Sequence, residues 1–102
     1  MGMGNLARMA QQMQARIERV QAELAAATVE GTAGGGAVRV VVTGKQEMVS
    51  VAIDPEVAEG GDLELLQDLI VAATNDALRG ARELAEQKLG AVTGGMRIPG
   101  MG

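Results

Sequence analysis

Apolar residues near the start of the chain recur at alternating spacings of four and three. The repeat consists of Leu6, Ala10, Met13, Ile17, Val20, Leu24 and Ala27. Because this spacing puts its members on one face of a helix, it predicts an amphipathic helix over residues 5 to about 27, with Asn5 as the N-cap. A helix of this length extends about 34 Å, which is more than a small sheet can cover. We therefore expect part of it to project from the domain.

The middle of the chain alternates with a period of two, which indicates β-strands. Three such segments are expected, at residues 28–32, 37–43 and 47–53. The shared faces consist of Val38, Val40 and Val42 in the second segment, and of Val49, Val51 and Ile53 in the third. Because the turns between the segments are short and contain glycine, the sequence predicts an antiparallel three-stranded sheet.

A second helical pattern follows the strands. Pro55 ends the third strand, and Asp62 is expected to cap a helix over residues 63 to about 89. The apolar positions of this helix are Leu66, Ile70, Ala73, Ala77, Gly80 and Leu84. Glycine in a helix interior costs about 1 kcal/mol relative to alanine, so Gly80 on this face indicates either the close approach of another helix or a bend, and we favour the close approach.

The length of 102 residues allows one domain with a small core. We assign residues 1–90 to this domain and residues 91–102 to a flexible tail rich in glycine and methionine, because the tail has no period that could pack as a regular element. The predicted fold class is therefore α+β. A small core also favours a homodimer, in which two chains bury apolar surface together.

The composition excludes most catalytic and ligand-stacking arrangements of side chains. The chain contains no His, no Cys and no aromatic residue. The glycines before Lys45 do not fit a phosphate-binding loop, and the acidic residues from Asp54 to Glu64 do not fit a calcium loop. We therefore predict a protein that is not an enzyme and has no catalytic residue, cofactor, metal site or small-molecule substrate. No segment predicts a membrane span or a secretion signal, which favours a cytoplasmic location.

The charges are segregated along the chain. The net charge is −4, which as an average argues against nucleic-acid binding. Residues 54–78, however, contain seven acidic residues and no basic one. The first part of the first helix and the second part of the second helix are thereby left with basic surfaces.

Four segments of the chain, taken in order, resemble the YbaB/EbfC family of nucleoid-associated proteins. They are Gly35-Gly36 with Val38-Arg39-Val40, the stretch from Val51 to Glu56, the helix core from Asp68 to Ala77, and the tail stretch from Gly95 to Gly100. The resemblance implies an α-β-β-β-α protomer and a tweezer-like homodimer from which the first helices project. It also implies a bacterial protein of the cytoplasm and nucleoid that binds double-stranded DNA.

The resemblance transfers no DNA contacts residue by residue, so we infer them from charge. The candidate DNA-binding residues are Arg8, Arg16, Arg19, Arg79, Arg82 and Lys88, with Arg39, Lys45 and Arg97 as weaker candidates. The leading hypothesis is a homodimer that binds DNA with low sequence specificity and bends, bridges or compacts it, with effects on gene expression. The alternative is a dimeric protein-interaction adaptor in recombination or replication, with weak or indirect DNA contact. Single-stranded nucleic acid is the weakest option, because no aromatic side chain is present to stack on a base.

Overall fold

The computed structural model describes residues 2–92 and has the predicted order of helix, three strands and helix. The elements are α1 (Met3–Ala26), β1 (Thr28–Ala33), β2 (Val38–Thr43), β3 (Met48–Ile53), α2 (Pro55–Glu59) and α3 (Leu63–Val92). The α+β class is thus confirmed. Of the predicted tail, residues 93–102 lie outside the described part of the chain, and α3 includes residues 91 and 92.

The first helix begins earlier than the sequence predicts. Its N-cap is Gly2, and the backbone N–H of Asn5 donates to the carbonyl oxygen of Gly2 at 3.2 Å. The prediction of Asn5 as the N-cap is therefore wrong. Nothing at Met3 or Gly4 breaks the helix, so hydrogen bonding continues for two further residues.

The three strands form an antiparallel meander in the order β1-β2-β3, as predicted. Val38, Val40 and Val42 are fully buried and share one face of the sheet. In β3 the predicted alternation is broken by a bulge, because Val42 pairs with Met48 while Val41 pairs with Ser50. Val49 is the extra residue, so the prediction that it continues the regular alternation of Val51 and Ile53 is wrong.

The core lies between the sheet and α3. It consists of Val38, Val40 and Val42 on β2 and Ala73, Ala77 and Ala81 on α3. A Cβ at Gly31 of β1 would lie 2.2 Å from the backbone nitrogen of Ala77, so the helix and strand backbones are in direct contact there. Gly80 also makes a close approach, as predicted, but its neighbour is Val29 of β1 and not another helix.

The two edges of the sheet differ. At β1, the backbone N–H of Thr32 donates to the Asp76 carboxylate of α3 at 3.0 Å, so the helix satisfies one N–H group of this edge. At β3, no further strand pairs with the other edge within residues 2–92. Val49 and Val51 of β3 are also 59% and 42% exposed. The β3 edge is therefore unpaired and lies beside uncovered apolar side chains.

Asp54 and Asp62 begin the two helices that follow the sheet. The Asp62 carboxylate accepts from the backbone N–H of Leu65 at 3.0 Å, which confirms the predicted cap of α3. The Asp54 carboxylate accepts from the backbone N–H of Glu56 at 2.9 Å and begins α2, a five-residue helix that the sequence pattern does not predict. Pro55 favours this start because its fixed φ angle suits a first helical position.

Candidate nucleic-acid interface

The first half of α1 projects from the domain as an arm, which we define as residues 3–16. Among the arm residues all are exposed except Met13, which is half-buried. Even its large apolar side chains are open to solvent, with Leu6 68% and Met9 64% exposed. The prediction of a projecting helix is thus confirmed, and the overall extents of 70 × 29 × 16 Å reflect this elongation.

The arm carries positive charge without compensating acids. Its charged residues are Arg8 and Arg16, and the first acidic residue along α1 is Glu18. The arm also ends at the N-terminus of α1, where backbone N–H groups point outward and no acidic residue lies in the first turn. Because a helix N-terminus is equivalent to about half a positive charge, the tip favours anions.

The three arginines of α1 point in similar directions. At 3.6 residues per turn, Arg8 and Arg19 lie within about 20° of each other around the helix axis, and Arg16 lies about 60° from Arg19. All three are exposed, and none takes part in an ion pair within the described residues. Arg8 lies about 180° from Ile17 of the apolar face. The arginine face can therefore contact a ligand without disturbing packing.

The three basic candidates on α3 do not share one face. Arg79 and Arg82 are exposed and neighbouring, and Arg79 lies 3.6 Å from the Asp76 carboxylate. Lys88 points elsewhere, because its Nζ atom donates to Glu23 of α1 at 3.3 Å. Lys88 thus links α3 to the part of α1 that follows the arm, residues 17–26, which we call the base of the arm.

The acidic residues of segment 54–78 lie at the end of the molecule away from the arm. The start of α3 lies beside the β1–β2 turn, where Leu69 approaches Gly34. The base of the arm lies at the opposite end of the sheet, where Leu24 packs against Gly44 in the β2–β3 turn. The structure therefore places the acid-free arm, with Arg8 and Arg16, at one end of the molecule and most of the acidic residues of segment 54–78 at the other.

The weaker candidates are spread over the surface. Arg39 is exposed on β2, in the position that pairs with Thr32 and Ala52. Lys45 is exposed in the β2–β3 turn, near the base of the arm. Arg97 lies outside the described residues. These positions do not form one patch with the arm arginines.

The sequence reasoning missed two polar residues that belong to this site. Gln12 lies between Arg8 and Arg16 around α1 and is exposed, so its amide can also reach an anionic ligand. Glu23 holds Lys88 and so fixes the base of the arm. Gln12 could have been found from the helical period alone, but the Glu23 contact joins residues 65 positions apart and required the fold.

Neither long helix of residues 2–92 combines the length and apolar character that a bilayer span requires. One similar solved structure is the crystal structure of an uncharacterized protein from Helicobacter pylori, with a TM-score of 0.74. The two chains are 24% identical, and the match covers 85% of this chain and 91% of that one. At this identity the comparison supports the fold.

The sequence comparisons are more specific. A protein of Alkaliphilus metalliredigens called a nucleoid-associated protein is 50% identical over 99 residues, covering 97% of this chain and 87% of its own length. A protein of the same name from Chloroflexus aurantiacus is 50% identical over 97 residues, covering 95% of this chain and 97% of its own. The profile of the YbaB/EbfC DNA-binding family matches residues 1–96. The chain therefore belongs to the YbaB/EbfC DNA-binding family.

Proposed function

We propose that this protein binds double-stranded DNA as a homodimer and contacts the phosphate backbone through the arginines of its two arms. The observation that carries the proposal is the acid-free arm with its arginine face, at the opposite end of the molecule from the acidic residues. Arginine suits this role because its planar guanidinium can donate two hydrogen bonds to one phosphate. Arg79 and Arg82 of α3 supply further contacts, and Lys88 contributes least because Glu23 already neutralises it.

Such contacts give low sequence specificity. Phosphate contacts fix the position of a protein on DNA but do not distinguish base pairs. Two arms that hold one duplex can bend it, and arms that hold separate duplexes bridge and compact DNA, with effects on gene expression. The name nucleoid-associated protein, given to the relatives, supports a bacterial cytoplasmic protein of the nucleoid. The protein acts by binding and does not catalyse a reaction.

The homodimer is supported by the surface around β3. This strand has an unpaired edge, and Val49 and Val51 beside it are largely exposed. The isolated protomer has a weak core, since its largest fully buried side chains are valines. A second copy packed against β3 would cover the apolar side chains and add to this core. It would also place a second arm in the same assembly.

The DNA contacts are tested by the salt dependence of binding to a fluorescent duplex. If the three α1 arginines of each protomer contact phosphates, six contacts give a slope of about −5 for log affinity against log salt. Replacing Arg8, Arg16 and Arg19 by alanine should remove this part of the slope and leave only the part that Arg79 and Arg82 contribute. Alanine preserves the helix because it has the highest helix propensity.

The matched control is Arg39→Ala, which removes an exposed arginine outside the arm. We expect this variant to keep a slope close to that of the unchanged protein. If Arg39→Ala weakens binding as much as the triple variant of α1, or if the triple variant keeps the full slope, the α1 arginines do not bind DNA. A dimer confirmed by light scattering is required in every sample.

The dimer surface is tested by a pair of substitutions on β3. Val51 pairs with the buried Val40, whereas Ser50 pairs with Val41 and lies on the other face of the sheet. Val51→Asp should give a monomer in sedimentation at micromolar concentration, and Ser50→Asp should stay dimeric. A dimer that survives Val51→Asp would show that this face is not the interface.

The second candidate function is a protein-interaction adaptor in recombination or replication. The observation that favours it is the exposed apolar side chains of the arm, because exposed Leu and Met form adaptable protein-binding surfaces. The triple arginine variant separates the two functions. Unchanged DNA behaviour together with lost capture of a recombination or replication protein would favour the adaptor.

A further inference from the structure

Besides the β3 surface, the molecule exposes large apolar side chains near both of its ends. On the arm these are Met3, Leu6 and Met9. At the far end they are Leu63 and Leu65 in the first turn of α3, which are 66% and 48% exposed. Clustered apolar side chains that face solvent mark contacts with another molecule. Each end therefore offers a surface that a partner would cover.

The two apolar surfaces are surrounded by opposite charges. The arm contains Arg8 and Arg16 and no acidic residue. The far end, which we define as residues 54–68 and call the acidic end, contains six acidic residues and no basic one. Asp54 and Asp62 cap the two helices that begin there. The remaining four are exposed and form no ion pair within residues 2–92, namely Glu56, Glu59, Glu64 and Asp68.

The side chains at the tip of the arm form a shallow groove of about 240 Å³. It is lined by Gly2, Asn5, Leu6, Arg8, Met9 and Gln12. Arg8 and Gln12 lie within about 40° of each other around α1, and Met9 lies about 60° beyond Gln12. The groove thus has an apolar wall at Leu6 and Met9 and a polar wall that donates hydrogen bonds. Such a groove fits an apolar side chain that has a carboxylate beside it.

The start of α3 carries the same pattern with carboxylates. Glu64, Leu65 and Asp68 repeat the spacing of the arginine, methionine and glutamine of the groove. Glu64 and Asp68 lie within about 40° of each other, and Leu65 lies about 60° beyond Asp68 in the same rotational direction as on the arm. If the two helices pack antiparallel, a two-fold rotation relates them, so the carboxylates face the polar wall while Leu65 enters the groove. The two surfaces therefore match in one orientation.

Among the surfaces of this chain, the acidic end of another copy fits the arm best. Two arms would repel, because each carries two arginines and no acid, and two acidic ends would repel for the converse reason. The arm cannot reach the acidic end of its own chain. From Arg8 to Leu24 α1 extends about 24 Å, and the sheet adds about 17–20 Å before the β1–β2 turn. The contact must therefore join two molecules.

Such a contact leaves the proposed dimer surface on β3 free. Leu65 lies within about 20° of Asp76 around α3, and the Asp76 carboxylate accepts from the backbone N–H of Thr32 on β1. Leu65 therefore faces the β1 side of the molecule. A homodimer formed through β3 would keep both the arms and the acidic ends accessible.

We propose that the arm of one copy packs antiparallel against the start of α3 in another copy, with Leu65 in the arm groove and the carboxylates of Glu64 and Asp68 facing its polar wall. The contact joins two different surfaces and is therefore heterologous. Each copy keeps a free arm or a free acidic end for a further copy. Homodimers joined in this way form rings or open chains.

The association does not depend on DNA binding. It has one consequence that rests on the proposed function, because the same Arg8 side chain faces a carboxylate in one contact and a phosphate in the other. The acidic end would then compete with DNA for the arm. Copies that are not on DNA would hold each other's arms.

The test is sedimentation of the full-length protein at about 0.1 M and about 1 M salt, where the screening lengths are about 10 Å and about 3 Å. Association is the gain in mass at the lower salt over the mass at the higher salt, so the result does not depend on whether the smallest species is a dimer. We expect the unchanged protein to associate at the lower salt, with a mass that rises with protein concentration. An equal mass at both salts overturns the proposal.

Matched substitutions on α3 locate the surface. Glu64→Gln with Asp68→Asn removes two carboxylate charges at exposed positions and keeps the side-chain shapes. Glu83→Gln with Glu86→Gln removes two exposed charges nearer the other end of the same helix and is the control. An exposed ion pair changes an equilibrium constant by up to about fivefold, so the first variant should associate about tenfold more weakly and the control within about twofold of the unchanged protein. Equal association of the two variants overturns the proposal.

A mixture of two variants shows which surfaces meet. Arg8→Gln with Met9→Gln alters the arm groove at exposed positions and leaves the acidic end intact. This arm variant and the Glu64, Asp68 variant should each associate weakly alone. Their mixture should regain association, because one supplies an intact arm and the other an intact acidic end. A mixture no heavier than its components overturns the proposal. Association that is lost in the arm variant but survives in the carboxylate variant also overturns it, since the arm then contacts another arm.

Discussion

Replacing Gly31 by alanine tests the contact between β1 and α3 that positions the long helix. An ideal Cβ at residue 31 would lie 2.2 Å from the backbone nitrogen of Ala77 and 2.3 Å from the carbonyl oxygen of Ala73. Since real Cβ atoms stay at least 3.0 Å from such neighbours, the gap to Ala77 must widen by 3.0 minus 2.2, or 0.8 Å. Both obstacles are backbone atoms of a helix, so neither can rotate away.

The cost follows from what this displacement would disturb. Moving α3 away from β1 separates the alanines of the helix from the buried valines of β2, which together form the core. Overpacking a core typically costs 1–3 kcal/mol, and the rigid obstacles place Gly31→Ala near the upper end, at about 3 kcal/mol. At 4–8 °C for each kcal/mol in a domain of this size, we expect the melting temperature to fall by about 12–24 °C.

Two other glycines provide matched controls for the same chemical change. A Cβ at Gly80 would lie 2.7 Å from Cγ1 of Val29, a side-chain atom that can move. Alanine has a higher helix propensity than glycine by about 1 kcal/mol, and this gain offsets part of the energy of the clash. Gly80→Ala should therefore lower the free energy of unfolding by less than about 1 kcal/mol. A Cβ at Gly90 would meet no atom within 4 Å beyond its own stretch of helix, so alanine there should stabilise by up to about 1 kcal/mol.

The assay is thermal unfolding followed by far-ultraviolet circular dichroism, because the chain has no aromatic residue for fluorescence. All variants are compared at one protein concentration, since dimerisation would couple stability to concentration. We expect Gly31→Ala to be the least stable, followed in order of increasing stability by Gly80→Ala, the unchanged protein and Gly90→Ala. The reasoning is refuted if Gly31→Ala lies within about 0.5 kcal/mol of the unchanged protein, the range of ordinary surface substitutions.

Three further substitutions probe single features of the fold. Asp76→Ala should cost about 1 kcal/mol and speed hydrogen exchange at Thr32, whose N–H loses its acceptor; unchanged exchange would contradict the contact. Gln46 has a φ angle of 65°, a left-handed conformation that is strained for any residue except glycine. Gln46→Gly should therefore raise the free energy of unfolding by about 0.5–1 kcal/mol, and a lower melting temperature in this variant would argue against the strain. Lys88→Ala should cost less than about 1 kcal/mol and change the salt slope of DNA binding less than Arg16→Ala, because Glu23 holds Lys88.

Much of the fold could be predicted because its elements follow simple periods. The spacing of Leu6, Met13 and Val20 predicts α1, and the alternation around Val40 predicts the sheet. Local exceptions were missed for physical reasons. The bulge at Val49 depends on pairing across strands, which no single segment specifies, and α2 is too short to show a helical period.

The candidate site could be predicted in part. Charge counts along the chain indicate that the arginines of α1 are separate from the acids of residues 54–78. Charge counts do not indicate which basic side chains form ion pairs with acidic side chains of other elements. The sequence therefore does not predict the pairing of Lys88 with Glu23. Nor does the apolar repeat show where burial stops, since Leu6 and Leu24 occupy equivalent helical positions but only Leu24 is covered.

The net charge of −4 does not decide whether the arms bind DNA, because the charges act over limited distances. At physiological ionic strength the screening length is about 8 Å, far shorter than the 70 Å length of the molecule. The acidic end is therefore screened from a phosphate at the arm. At 0.01 M salt the screening length grows to about 30 Å, and the carboxylates begin to repel the same duplex. We thus expect log affinity to rise linearly as salt falls and then to flatten at the lowest salt. If the plot of log affinity against log salt stays linear down to 0.01 M, the carboxylates of segment 54–78 do not affect DNA binding at the arm even when screening is weak.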